Sequence, residues 1–300
     1  MTTQQFTGVL AAVVTPFTAD GSAIDVDGIR RQVDHIVAGG VHGLVPGGST
    51  GEFTALTVEE RKASNRAYID AAAGRVPVVA GTGALNTAET IELTRDAKDA
   101  GADAVMIVPP FYDAPDFDAL IAHYASVTEA VDIPIMYYNI PAATGVELSA
   151  EQLGELGRRT GATSYKDTGG DFPKFTEVRF DQAEDIQALN GWDTLTFAAF
   201  ALGAEAGVWG AASIIPGLCA ELYQAVVVDK DLDRGRELWA KINPICVFLE
   251  SHNYAGAIKT GTALVGVDAG PTRSPILPLA DEYVDELRGL LRDAGVTVVA

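Results

Sequence analysis

The chain reads as an α/β protein, a (β/α)8 TIM barrel carrying a small C-terminal helical appendix, and three observations predict this. Short apolar runs rich in β-branched residues recur about every thirty residues. Amphipathic stretches of helical period fill the gaps between them. Glycine, proline and polar clusters follow the runs, where a chain would leave a strand and turn toward a helix. Such alternation predicts a parallel sheet, and eight repeats over about 230 residues match a closed barrel.

The first run covers residues 9–14 and ends in Thr15-Pro16-Phe17. Residues 43–46, 76–80, 104–108, 133–138, 163–166, 186–190 and 207–210 supply the other seven candidate strands. After the first of these, Ile29, Val33, Ile36 and Val37 recur at helical spacing and mark one buried face. Thr57-Val58-Glu59-Glu60 is a capping box opening the next helix: the Thr57 hydroxyl accepts from the Glu60 backbone N–H while the Glu60 side chain reaches back. From about residue 220 the pattern is helical, with PTRSPILPLADEYVDELRGLL over 271–291 as its last clear segment. The expected division is a barrel over residues 1–225, with its site at the strand C-terminal ends, and a helical segment over 226–300. An open doubly wound sheet is the alternative, but no GxGxxG follows the first strand and no GxxxxGK[ST] occurs.

Composition narrows the function classes. The chain has 300 residues, 48% of them hydrophobic, enough to bury a large core. No apolar run has the length of a membrane span, and the N-terminal MTTQQFTG has no basic region leading into an apolar block, so the expected location is cytoplasmic. A formal net charge of -20 disfavours nucleic acid and anionic membranes as partners. Cys219 and Cys246 form no CxxC pair, and His35, His42, His123 and His252 lack metal-ligand spacing, so no metal is expected.

Chemistry in such a barrel gathers at the C-terminal strand ends. The second strand ends in Gly47-Gly48-Ser49-Thr50-Gly51-Glu52, the fourth in Pro109-Pro110-Phe111-Tyr112 and the fifth in Tyr137-Tyr138-Asn139. The sixth ends in Lys166, within SYKDTGGD, and the seventh in Asn190-Gly191-Trp192-Asp193. The Gly-Gly-Ser-Thr-Gly turn can bring backbone N–H groups and two hydroxyls close to a carboxylate, although an ordinary strand-to-helix turn has the same composition. Lysine is a poor residue for a buried strand end. Burial there lowers a lysine pKa and yields an amine able to attack a carbonyl, whereas the plainer readings are a lysine snorkelling to the rim or paired with Asp167. Tyr138 stands 28 residues earlier, about one β/α unit, so the two side chains are expected on neighbouring strand ends, where a phenol can relay protons for imine formation.

These segments resemble the pyruvate-dependent class I aldolase superfamily that includes N-acetylneuraminate lyase and dihydrodipicolinate synthase. The likeness runs through TPF at 15–17, GGSTGE at 47–52, PPFY at 109–112, YNIP at 138–141, KDTGGD at 166–171 and GAASIIP at 210–216. It implies that Lys166 forms the Schiff base with a 2-oxo acid and that Tyr138 relays protons. Ser49 and Thr50 then bind the pyruvate carboxylate or complete the proton path, and Tyr112 reaches the site of a neighbouring subunit. Gly48, Thr168, Gly191, Asp193 and Ala211 are the further substrate contacts it implies. No cofactor beyond the covalent lysine imine is implied, the partners are a small 2-oxo acid and an aldehyde, and the assembly is a homotetramer or homodimer.

The branch is set by departures from the pattern. Dihydrodipicolinate synthases carry an arginine two residues after the proline of the YNxP motif, and here that place is Ala143, which cannot form a bidentate pair with a carboxylate. Thr168 and Asp193 match residues that contact substrate hydroxyls in the neuraminate lyase branch, while Thr194 replaces the acidic residue common there. KDTGGD is also similar to the lysine motif of 4-hydroxy-2-oxoglutarate and 2-keto-3-deoxy sugar-acid aldolases. The leading expectation is a lyase acting on a 2-keto-3-deoxy or 4-hydroxy-2-oxo acid. The alternatives are 4-hydroxy-tetrahydrodipicolinate synthase, a sugar-acid dehydratase, and a non-catalytic 2-oxo acid sensor, which would need neither the lysine nor the tyrosine.

Overall fold

Each of the eight apolar runs becomes a parallel strand: β1 Gly8–Ala12, β2 Gly43–Val45, β3 Val79–Gly81, β4 Ala104–Ile107, β5 Ile135–Asn139, β6 Ser164–Asp167, β7 Gln187–Asn190 and β8 Ala206–Trp209. This computed structural model describes residues 5–299; residues 1–4, the start of the MTTQQFTG stretch, and Ala300 lie outside the described residues. The strands run in the order β2-β1-β8-β7-β6-β5-β4-β3, and a parallel bridge between Leu44 and Val78 joins the two ends into a barrel. The helices α1 Val26–Ala38, α2 Val58–Ala72, α3 Thr87–Ala100 and α4 Phe117–Ala130 follow the first four strands. A single turn, α5 Pro141–Thr144, precedes α6 Ala150–Thr160, and then come α7 Phe172–Asp181, α8 Thr196–Leu202 and α9 Pro216–Tyr223. The C-terminal part adds α10 Leu232–Ser251, α11 Tyr254–Leu264 and α12 Val284–Asp293.

Local chemistry explains these elements. Ile29, Val33 and Ile36 face the core from α1, and the Thr57–Glu60 capping box forms with both of its hydrogen bonds. Ser149 and Gln152 build a second capping box at α6, which the sequence reading passed over. The third and fifth strands begin at Val79 and Ile135, later than expected, because Pro77 and Pro134 have no N–H to give the ladder. Their carbonyls still serve as acceptors, for Leu44 N at 2.9 Å and Val105 N at 3.0 Å. Residues 271–280 form no helix, a correction to the expectation for 271–291, since Pro271, Pro275 and Pro278 break the helical hydrogen bonding and only the part from Asp281 onward coils.

Two apolar bodies hold the fold. Inside the barrel, Leu10, Val45, Val79, Met106, Met136, Leu189 and Val208 fill the lumen. Outside it, one continuous cluster lies between strands and helices and runs from Val9 through Ile245 to Leu287, so the C-terminal helices share the core of the barrel. Strands covered on both faces read as unbroken apolar runs, which is why they were legible. Cys219 and Cys246 are free and buried. The histidines sit in packing contacts, His42 on Tyr223, His123 on Tyr124 and His252 on Phe248, while His35 Nε2 lies 3.3 Å from the Ile214 carbonyl. No helix among the described residues is long and apolar enough to cross a membrane.

The turn after β2 is seated directly on the end of β3. Gly47 has φ +72°, and a Cβ on Gly81 would stand 2.2 Å from the Gly47 carbonyl oxygen. The Gly81→Ala variant is expected to lose about 1–3 kcal/mol of stability through overpacking. Gly217→Ala, in α9 where an added Cβ meets nothing within 4 Å, is expected to be neutral or mildly stabilising. Urea unfolding of the two variants checks this, and equal stabilities would contradict the close approach.

Candidate active site

Strand register brings the two principal residues together. Tyr138 on β5 pairs with Lys166 on β6, so their side chains stand on the same face at the barrel mouth, and Lys166 Nζ lies 4.2 Å from the centre of the Tyr138 ring. Lys166 is 6% exposed, and among the described residues no carboxylate lies within 4.0 Å of its ammonium. The expected alternative pairing with Asp167 does not form. As the next residue of a strand, Asp167 points to the opposite face. There it accepts from Asn139 Nδ2 at 2.6 Å and from the Gly169 N–H at 3.1 Å, and burial raises its pKa.

Gly191 provides the space for the lysine. A Cβ at that position would lie 2.6 Å from both Cγ and Cε of Lys166. The Gly191 carbonyl also accepts from the Thr168 hydroxyl at 2.9 Å, so the proton of Thr168 is engaged within the protein and its oxygen remains able to accept.

A cavity of about 280 Å³ opens over Lys166. It brings together Ser49, Thr50, Tyr138, Lys166, Thr168, Gly191 and Asp193 of the expected residues. Three others stand apart. At Gly48, within the turn, a Cβ would lie 3.0 Å from Met106 of the lumen; the Ala211 N–H is directed to Asp193; and Tyr112 is 86% exposed on the surface and does not line this cavity. A second cavity of about 340 Å³ adjoins the first and shares Ser49, Ile140 and Tyr254 with it. Ala143 lines this second space together with Phe53, Val108 and Phe111 and with the neutral polar residues Thr54, Thr144 and Asn253, so no cation stands among its described residues.

Asp193 is buried in the cavity wall. Burial pushes its carboxyl up to about 6, against the opposing pull of hydrogen bonds from the Tyr254 hydroxyl at 2.8 Å and the Ala211 N–H at 3.1 Å. Glu250 raises it further and Lys166 lowers it. Tyr254 also accepts from the Gly210 N–H at 3.1 Å and so connects α11 to the turn after β8.

Three residues in or behind the site escaped the sequence reading: Glu250 at the end of α10, Tyr254 at the start of α11, and Lys259 within α11. Glu52, last residue of the GGSTGE turn, holds a left-handed φ of 56° and is completely buried. Lys259 Nζ meets its carboxylate at 2.6 Å, and the Arg273 N–H donates to it at 2.9 Å. Lys259 and Arg273 both stand 4.1 Å from the centre of the Phe17 ring, so the TPF and GGSTGE segments are clamped by the C-terminal part of the chain. The one sequence signal was a glutamate in a turn otherwise built of small residues; its partner Arg273 is 221 positions away.

The raised pKa of Asp193 has a stability consequence. Between the unfolded value of 3.8 and the folded value of about 6 the native state holds a proton that the unfolded chain has released, so wild-type stability falls as pH rises through that window. Relative to Asp193→Asn, the wild type is expected to lose on the order of 2 kcal/mol between about pH 4 and pH 7. Urea unfolding of both proteins across that range measures it, and parallel pH profiles would show that Asp193 is not the responsible group.

Comparison with known proteins agrees with this geometry. The model of the Dihydrodipicolinate synthetase family matches residues 5–294. The 4-hydroxy-tetrahydrodipicolinate synthase of Methanothrix thermoacetophila is 38% identical over 95% of this chain and 96% of its own length. That of Methanospirillum hungatei is 36% identical over 95% of this chain and 98% of its own. Among solved structures, the chloride-inhibited dihydrodipicolinate synthase from Acinetobacter baumannii, complexed with pyruvate, superposes with a TM-score of 0.92 at 33% identity, covering 97% of this chain and 100% of that one. With a barrel of this topology and a lysine and tyrosine paired at its mouth, the chain belongs to the Dihydrodipicolinate synthetase family, whose members are class I pyruvate-dependent lyases and aldolases.

Proposed function

We propose that Lys166 forms an imine with pyruvate and that the second substrate is an uncharged, hydroxylated aldehyde, so that the enzyme makes or cleaves a 2-keto-3-deoxy acid. The observation that carries this reading is the charge of the cavity lining. Lys166 is its one cation, while Asp193 and Glu250 both line it, and the adjoining space around Ala143 contains no cation among its described residues. A second substrate carboxylate would therefore be desolvated without a cationic partner.

The chemistry follows from the arrangement. The Lys166 amine, after giving up its proton, adds to carbon 2 of pyruvate, Tyr138 passes a proton to the departing hydroxyl, and water leaves to give the iminium. Loss of a carbon 3 proton yields the enamine, whose electron pair joins the aldehyde carbon while the aldehyde oxygen takes a proton. Water then returns at carbon 2 and frees the amine. In the cleavage direction the iminium receives the electron pair of the breaking bond, so no bare carbanion forms. Ser49 and Thr50, both in the cavity lining, are suited to hold the pyruvate carboxylate.

A second reading, 4-hydroxy-tetrahydrodipicolinate synthase, is favoured by the names of relatives at 33–38% identity. It starts from the same imine but condenses it with aspartate semialdehyde, whose carboxylate finds Ala143 where an arginine would serve. Tyr112, 86% exposed beside Phe111, supports an assembly in which a second copy is covered by this surface, as a homodimer or homotetramer.

Borohydride reduction in the presence of pyruvate is expected to leave a pyruvyl adduct on Lys166, absent in Lys166→Ala and formed at least about tenfold more slowly in Tyr138→Phe. An unmodified Lys166 in folded protein would end the imine reading. Comparing pyruvate condensation with D-glyceraldehyde and with aspartate semialdehyde then separates the branches: faster reaction with the semialdehyde selects the synthase. Sedimentation of the wild type is expected to give a dimer or tetramer that Tyr112→Ala weakens, and a monomer at micromolar concentration would remove the assembly from the proposal.

A further inference from the structure

Glu250 belongs to the last turn of α10, outside the eight β/α units, yet its side chain lines the Lys166 cavity. A glutamate on an exposed helix end would ordinarily sample many rotamers. This one is fastened by three donors from the segment after β7. Its Oε2 accepts from Trp192 Nε1 at 3.1 Å and from the Thr194 hydroxyl at 2.8 Å, and its Oε1 accepts from the Thr194 N–H at 2.9 Å. A carboxylate has about four acceptor positions, so one on Oε1 is left over.

The charge around it is unbalanced. Once pyruvate is bound, the positive iminium is matched by the pyruvate carboxylate, and Asp193 and Glu250 are the two carboxylic side chains of the lining. The loaded cavity is then negative toward whatever enters next. A fixed carboxylate with a free acceptor position attracts hydroxyl donors and repels a second anion.

We propose that Glu250 is a specificity-determining residue that accepts a hydrogen bond from a hydroxyl of the aldehyde and excludes aldehydes bearing a carboxylate. This rests on the imine reading above and names the residue that would enforce its choice of aldehyde. The plainer role for Glu250 is to pin the 3-10 turn Asp193–Leu195 by capping Thr194. That role would affect every aldehyde alike, because the turn carries Asp193 for all of them.

The test measures kcat/KM for pyruvate condensation with three probes, D-glyceraldehyde, propanal and glyoxylate, in the wild type, Glu250→Gln and Glu250→Asp, with thermal melting to establish that each is folded. In Glu250→Gln, D-glyceraldehyde is expected to lose about tenfold or more relative to propanal while glyoxylate gains about tenfold. Glu250→Asp, which keeps the charge and withdraws it by one methylene, is expected to go on rejecting glyoxylate while losing the preference for D-glyceraldehyde over propanal. A wild type that prefers D-glyceraldehyde, with ratios that neither variant changes or with parallel losses on all three probes, overturns the assignment of Glu250 alone. A wild type that prefers glyoxylate, or condenses with none of the three, overturns both this assignment and the reading beneath it.

Discussion

The mouth of this barrel is organised around one constraint: a lysine amine must be buried without a carboxylate to neutralise it. Lys166 meets that condition because its strand neighbour Asp167 is turned to the other face and held there by Asn139 and Gly169. The apolar lumen beneath supplies low-dielectric surroundings, and the Tyr138 ring lies 4.2 Å from Lys166 Nζ as a polarisable surface. Gly191 is required by the same constraint, since any side chain there would occupy the volume of the lysine stem. Burying a polar group without a hydrogen-bonded partner costs stability, and the surrounding barrel offsets this through two extensive apolar bodies.

The C-terminal helices are part of this arrangement. Lys259 and Arg273 grip Glu52 and Phe17 and so fix the turn that offers Ser49 and Thr50 to the cavity, while Tyr254 orients Asp193 from the side. A buried ion pair such as Glu52 with Lys259 is a poor source of net stability, because both groups give up hydration. Its value here is positional: it permits one placement of the turn relative to the rest of the mouth. Glu250 extends the same design to the outer rim, where a helix outside the barrel contributes charge to the pocket.

Local and global electrostatics are thus separated. The protein carries a net charge of -20, yet the cavity lining places the Lys166 amine beside the hydroxyls of Ser49 and Thr50. Solvent and salt screen the distant surface carboxylates within about 10 Å, so the pocket is governed by its own lining. The charge met inside the two cavities is therefore set by a few lining residues, Lys166, Asp193 and Glu250, rather than by the charge of the whole.

The eight strands, the Thr57 cap and the positions of Lys166, Tyr138, Ser49 and Thr50 were all legible in the chain. Strands covered on both faces leave continuous apolar runs, and a barrel places whatever follows each run at one end of the molecule. The same local logic misjudged residues 271–280, where the prolines override the apolar pattern. Only the tertiary structure decided that Asn139 holds Asp167, that Gly191 makes room for the lysine stem, and that Ala211 and Tyr254 hold Asp193. It likewise brought Lys259, Arg273 and Glu250 to the mouth. Periodicity records which face of its own element a residue occupies, whereas these contacts join residues up to 221 positions apart whose meeting depends on how one packed layer seats on another.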